Sequence, residues 1–287
     1  MENLALKIAI RLIIYPFIAY FIFSAIMFFL YTHPARYITR ETPENFGLKY
    51  EEINLKTEDN IKINAWLLRN KKSKKALILC HGYPVDKGNI LASTAFFAKD
   101  YNLLYLDFRA MGKSGGFLTS GGYNEIKDIK AAVHFLKNCG MEKIGLYGFS
   151  MGASAAIMAA AQMEDIRAVI ADSPFDDLYS LMDSIFSNLG VFRKPLLWFM
   201  CLESKMLLGE WMSEISPVKC ASKMKAPLFL IHGDRDSQIP MKNSLHIKKS
   251  KPDALLWIIK NADHGEAYFF AGKEYEKRTL DFLRTNL

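Results

Sequence analysis

Ser150 sits in Gly148-Phe149-Ser150-Met151-Gly152, a G-x-S-x-G run that directly follows the apolar segment KIGLYG at 143–148. Behind it comes a stretch of small residues, Ala153-Ser154-Ala155-Ala156. In a strand–turn–helix setting this spacing puts a hydroxyl on a sharp, strained turn, with glycines giving the backbone room on both sides. A helix start at the same place favours negative charge as it develops. The chemistry this predicts is nucleophilic attack by serine, and a serine hydroxyl needs a base.

Of the six histidines, His264 is the best placed to be that base. It lies in Asn261-Ala262-Asp263-His264-Gly265, just after the apolar run ALLWIIK and before the last helical pattern. A loop at the carboxyl end of a strand points toward such a serine. His134 falls in a helical pattern, His246 in a basic segment and His33 beside the apolar N-terminus, so each reads as structural or solvated. The imidazole in turn needs a carboxylate to fix its tautomer. Asp234 and Asp236 in His232-Gly233-Asp234-Arg235-Asp236, and Asp172 at the end of RAVIAD, are the candidates. Each also reads as a turn or cap carboxylate.

These residues must be positioned by a scaffold, and the apolar pattern predicts one. Alternating segments at 49–56 and 61–68 read as an antiparallel hairpin. Short, wholly apolar runs follow at 76–80, 102–108, 143–148, 167–172, 227–233 and 254–260, as two-sided burial in a parallel sheet requires. Helical stretches near 88–99, 122–138, 151–163, 241–249 and 267–285 separate most of them, which predicts βαβ units and a doubly wound sheet. One insertion, about 175–222, is rich in Phe, Trp, Leu and Met. It reads as a helical cap over the carboxyl edge of the sheet, where open α/β folds bind ligands.

The 287 residues, 51% hydrophobic with a net charge of +7, exclude a disordered tail or a small disulfide scaffold. Cys80, Cys139, Cys201 and Cys220 lie far apart with no CxxC, so free thiols are expected and no metal site. Gly112-Lys113-Ser114 resembles the end of a phosphate-binding loop, but Asp107 stands where the earlier glycine belongs. The basic runs at 69–75 and 242–251 read as solvated faces without the aromatic platform of a nucleic-acid site. No cofactor and no nucleic acid are expected.

From Leu12 to Tyr31 the chain carries no charge over twenty residues. At 1.5 Å per residue these cover about 30 Å, the depth of a bilayer's hydrocarbon core. Thr32-His33-Pro34-Ala35 supplies no small-x-small cleavage site, so an uncleaved single-pass anchor over 1–31 is expected, in contact with membrane lipid. Lys7 and Arg11 before the span balance Arg36 and Arg40 after it, so flanking charge favours neither side. A linker over 32–47 would join the anchor to a catalytic domain over 48–287.

The order Ser150, Asp236, His264 resembles the Ser…Asp…His order of the α/β-hydrolases. The resemblance covers nearly all of 48–287. It is carried by His81-Gly82, by Asp107-Phe108-Arg109 leading to Gly112-Lys113-Ser114, and by GFSMG, HGDRD and ADHG. It points most to a membrane-tethered branch called BEM46-like, which overlaps a serine aminopeptidase-like group. That resemblance implies the α/β-hydrolase fold and, through the HG-x-x-D pattern, selects Asp236 as the acid. One departure is Ala110, where many relatives have glycine. The oxyanion donors implied are the N–H of Met151, next after the nucleophile, and one from the loop at His81-Gly82-Tyr83-Pro84. Pro84 has no N–H, which leaves Tyr83.

The expected activity is that of a serine hydrolase on small esters or thioesters with apolar acyl groups. A serine peptidase or aminopeptidase of the same fold is the alternative, and a non-catalytic binding module is the reading from another class.

Overall fold

The alternating segments pair as predicted. β1 (Glu51–Lys56) and β2 (Lys62–Leu68) form an antiparallel hairpin with Glu51 opposite Leu67 and Lys56 opposite Lys62. The apolar runs become β3 (Lys75–Cys80), β4 (Asn102–Leu106), β5 (Lys143–Phe149), β6 (Ile166–Asp172), β7 (Leu228–Gly233) and β8 (Leu255–Ile259). In this computed structural model, which describes residues 2–287, they make one eight-stranded sheet in the order β1-β2-β4-β3-β5-β6-β7-β8. Met1 of the expected 1–31 segment lies outside the described residues, as do the side chains of Glu2, Asn3, Ala5 and Ile13. β2 meets β4 antiparallel, and every pair from β4 through β8 is parallel.

Helices cover both faces, which is why the central strands are apolar without alternation. α1 (Glu2–Thr32) comes first. α2 (Leu91–Thr94) is one short turn between 3-10 turns at Lys87–Ile90 and Ala95–Lys99, so the pattern expected as one helix over 88–99 is broken. α3 (Glu125–Asn138) and α4 (Met151–Ala160) follow. The 175–222 region holds α5 (Leu178–Ile185), α6 (Arg193–Leu208) and α7 (Pro217–Ala221). α8 (Lys242–Ser250) fits its expected place. The last pattern splits into α9 (Ala267–Ala271) and α10 (Lys273–Asn286) because Gly272, at φ 49°, takes a conformation that ends a helix.

One face of residues 17–31 of α1 packs against the cap. The rings of Phe17 and Phe21 meet Phe199 of α6 edge-on at 5.3 and 5.4 Å, and Tyr31 meets Phe186 at 5.7 Å. Tyr20 donates its hydroxyl to the Phe192 carbonyl, and Phe28 is buried in the same core cluster as α4 and α6. The segment after α1 is tied down as well. The Arg36 guanidinium donates to the carbonyls of Gly112, Ser114 and Gly116, and the Thr39 N–H to Asp86.

The loop that Arg36 holds is itself braced by buried ion pairs. Lys87 Nζ lies 2.6 Å from Asp107 and 2.8 Å from Asn64 Oδ1, over the ring of Trp66. Arg109 forks between Asp128 at 2.7 Å and Asp59 at 2.8 Å. Satisfying each charge in this way is what makes its burial tolerable. Ala110, next to Arg109, has φ 61°, a left-handed conformation that favours glycine.

Candidate active site

The turn after β5 holds Ser150 at φ 55° and ψ −120°, a strained conformation for any residue with a side chain. Two glycines allow the tight crossing of strand and helix that produces it. A Cβ on Gly148 would strike the Gly152 carbonyl, and one on Gly152 would strike the carbonyls of Cys80 and His81. The N–H of Ser150 is tied to the Asp172 carbonyl at 2.8 Å, which fixes the turn to β6.

Ser150, Asp236 and His264 come together at the carboxyl edge of the sheet. His264 Nε2 stands 2.9 Å from Ser150 Oγ, and its Nδ1 stands 2.7 Å from Asp236 Oδ2. An ionised carboxylate only accepts, so Nδ1–H donates to Asp236 and the Nε2 lone pair faces the serine hydroxyl. Burial pushes the Asp236 carboxyl up, but His232 and His264 beside it and the N–H of Ile239 more than offset this. Together they hold it well below the usual carboxylate range. Asp236 is therefore an anion at neutral pH.

The other two carboxylates are spent elsewhere. Asp234 accepts from the N–H of Asn261 at 2.6 Å and pins the turn after β8. Asp172 is buried and accepts from Ser173 and from the hydroxyl of Tyr275 at 2.8 Å, and burial raises its pKa. His134 and His246 lie away from Ser150, with Asn138 and Asp176 as their respective partners.

Tyr83 and Met151 line the same cavity as Ser150. Among the described residues, neither of their backbone N–H groups has a hydrogen-bond partner. His81 sets this loop. Phe108 N–H donates to its Nε2 at 3.0 Å, so its Nδ1–H donates to the Gly82 carbonyl at 2.6 Å. Thus the peptide that carries the Tyr83 N–H is held from behind.

Several residues here were not read from the sequence. Asp263, next to the histidine, accepts from the N–H and hydroxyl of Ser237 at 2.8 and 2.9 Å, and ties the His264 loop to the Asp236 loop. His232 is fully buried with Nε2 3.3 Å from Asp236 Oδ2. Phe28, Tyr31 and Thr32 of α1 line the cavity next to Ser150. Its volume is about 540 Å³, and the cap residues Met182, Met200 and Leu208 line it too.

A mostly parallel eight-stranded sheet with a serine on the turn after β5 and a cap over its carboxyl edge is the α/β-hydrolase fold. The sequence profile of the prolyl oligopeptidase family matches residues 91–287, and the chain belongs to that family. YqkD of Bacillus subtilis, an uncharacterised protein, is 33% identical over 217 residues, covering 72% of this chain and 70% of that one. Protein bem46 of Schizosaccharomyces pombe is 27% identical over 210 residues, covering 69% and 64%. Among solved structures, an esterase of Pyrococcus furiosus aligns with a TM-score of 0.73 at 30% identity. It covers 88% of this chain and 97% of that one. α1 is long and apolar enough to cross a membrane.

Proposed function

We propose that the protein is a serine hydrolase that cleaves carboxylic esters or thioesters with uncharged, apolar acyl groups. Ser150 attacks the carbonyl carbon while His264 Nε2 takes its proton, and Asp236 stabilises the imidazolium that forms. The tetrahedral oxyanion accepts from the N–H groups of Tyr83 and Met151, each donor contributing about 3 kcal/mol to the barrier reduction. His264 then protonates the leaving group, and water enters by the same route to release the acid.

The observation that carries the ester reading over an aminopeptidase is the lining of the cavity. Apart from His264 against Ser150, the residues that line it include no Asp, Glu, Lys, Arg or His. A free α-ammonium group would be desolvated there without a counter-charge, at a cost of several kcal/mol. An acyl chain finds Phe28, Phe175, Leu178, Met182, Met200 and Leu208 there, among uncharged polar side chains such as Ser184 and Asn188. We place the exposed face of α1 in contact with a bilayer as a single N-terminal anchor, on the strength of its length and composition, with the cap that packs on its other face held at the membrane beside it.

The test is labelling with a fluorophosphonate, followed by rates on p-nitrophenyl esters and aminoacyl p-nitroanilides. Labelling that Ser150→Ala abolishes, with ester rates rising from acetate toward octanoate, is expected. Faster turnover of the aminoacyl anilides would favour the peptidase. Labelling that survives Ser150→Ala would remove the nucleophile, and an inert wild-type protein would favour a binding module.

A further inference from the structure

α1 is apolar on all sides, yet only one stripe of it meets the protein. Phe17, Tyr20, Ser24, Phe28 and Tyr31 recur every three or four residues, the spacing that keeps side chains on one helical face. Their partners run along the cap: Phe199, Phe192, Glu203 and Phe186. Ile22, Ile26, Phe29 and Leu30 point away and are exposed. The stripe, with Ser24 buried in it, docks α1 on the cap.

At its C-terminal end this stripe passes from packing into the cavity. Phe28 is 6% exposed, and with Tyr31 and Thr32 it lines the same cavity as Ser150, Met151, Met182 and Leu208. The Thr32 carbonyl accepts from Thr119 N–H at 2.8 Å, and Thr119 lines the same space. The helix end is thereby fixed to the catalytic domain at the site itself.

We propose that the last turns of α1 are the acyl-chain gauge of the enzyme, with Phe28 as its principal specificity-determining residue for medium and long fatty acyl esters. This rests on the ester hydrolase reading. The acyl chain lies between Phe28 and the methionine and leucine side chains of the cap, and its permitted length is set by the side chain at position 28. Anchor and specificity element are then the same helix. Bulk added at 28 shortens the preferred chain, and bulk removed lengthens it.

The experiment uses full-length protein in detergent and three variants: Phe28→Trp, Phe28→Ala and Phe29→Ala. Phe29 stacks on His33 on the outward face and serves as the control. The ratio of kcat/KM for p-nitrophenyl octanoate to that for the acetate is expected to fall about tenfold in Phe28→Trp. In Phe28→Ala the optimum moves to longer chains, and in Phe29→Ala the ratio stays within about twofold. Fluorophosphonate labelling of each variant reports that the site is assembled. Binding of methyl octanoate to Ser150→Ala, alone and combined with Phe28→Trp, reads the same wall without turnover and should weaken about tenfold in the double variant. If octanoate binds and responds to position 28 but no ester is turned over, the hydrolase reading falls and the gauge stands. If chain-length preference and binding ignore position 28 in correctly labelled protein, the gauge is overturned and the hydrolase stands. Absence of both turnover and binding overturns both.

Discussion

The Ser24 hydroxyl, in the middle of the apolar α1, donates to Glu203 Oε2 on α6 at 3.2 Å. Both residues are buried, and among the described residues the second Glu203 oxygen has no partner. One carboxyl group thus sits in the seam between helix and cap with a single hydrogen bond, and the seam's stability depends on its proton.

Burial raises the Glu203 pKa above its ordinary 4.5, and the Ser24 hydroxyl only partly offsets this. The folded protein therefore holds the proton more tightly than the unfolded chain. The stability linked to it is fully present below about 4.5 and is lost as pH rises through the higher folded value. Glu203→Gln keeps the shape and removes the charge. Thermal melts in detergent should show the variant about 2 °C higher near pH 8 and indistinguishable near pH 4. An equal shift at both pH values would show that ionisation is not the cause.

Asp236→Asn should lower kcat by about 10⁴, since it removes the anion that fixes the His264 tautomer. Asp234→Asn disturbs only the turn at Asn261 and should cost less than about tenfold. Steady-state rates on one p-nitrophenyl ester decide between them. A collapse in Asp234→Asn with Asp236→Asn near normal would reverse the assignment.

Ala110→Gly should stabilise the protein, because the φ of 61° costs alanine about 1–2 kcal/mol that glycine does not incur. The greater freedom of glycine in the unfolded chain takes back about half of that. A net gain of about 0.5–1 kcal/mol, or about 1–2 °C in Tm, is expected by thermal unfolding. Any loss of stability would mean that the Ala110 methyl packs more usefully than its backbone strains.

The sheet was legible because strands buried on both faces must be apolar throughout, and because G-x-S-x-G marks a turn that few other sequences make. Ser150 and His264 followed from their places after β5 and β8, while Asp236 was separated from Asp234 only by resemblance to a family. The packing of one stripe of α1 on the cap was not legible. A helix apolar on every side gives no sign of which stripe meets protein and which meets lipid, and its one hint, Ser24, is unremarkable in an apolar span. Asp263 was masked by the histidine beside it. Nor does periodicity over 267–285 reveal the break, which depends on a single positive φ at Gly272.

With α1 in a bilayer as proposed, the grip of Arg36 on Gly112, Ser114 and Gly116 turns a leash into a bracket. A slack connection would let the catalytic domain sweep a hemisphere and meet substrates at many heights. Clamped within a few residues of the last helical turn, Ser150 moves with the helix, and its height above the lipid follows the helix rather than the swing of a linker. If the proposed hydrolase activity and anchor both hold, substrates would be presented to Ser150 at a height set by that bracket.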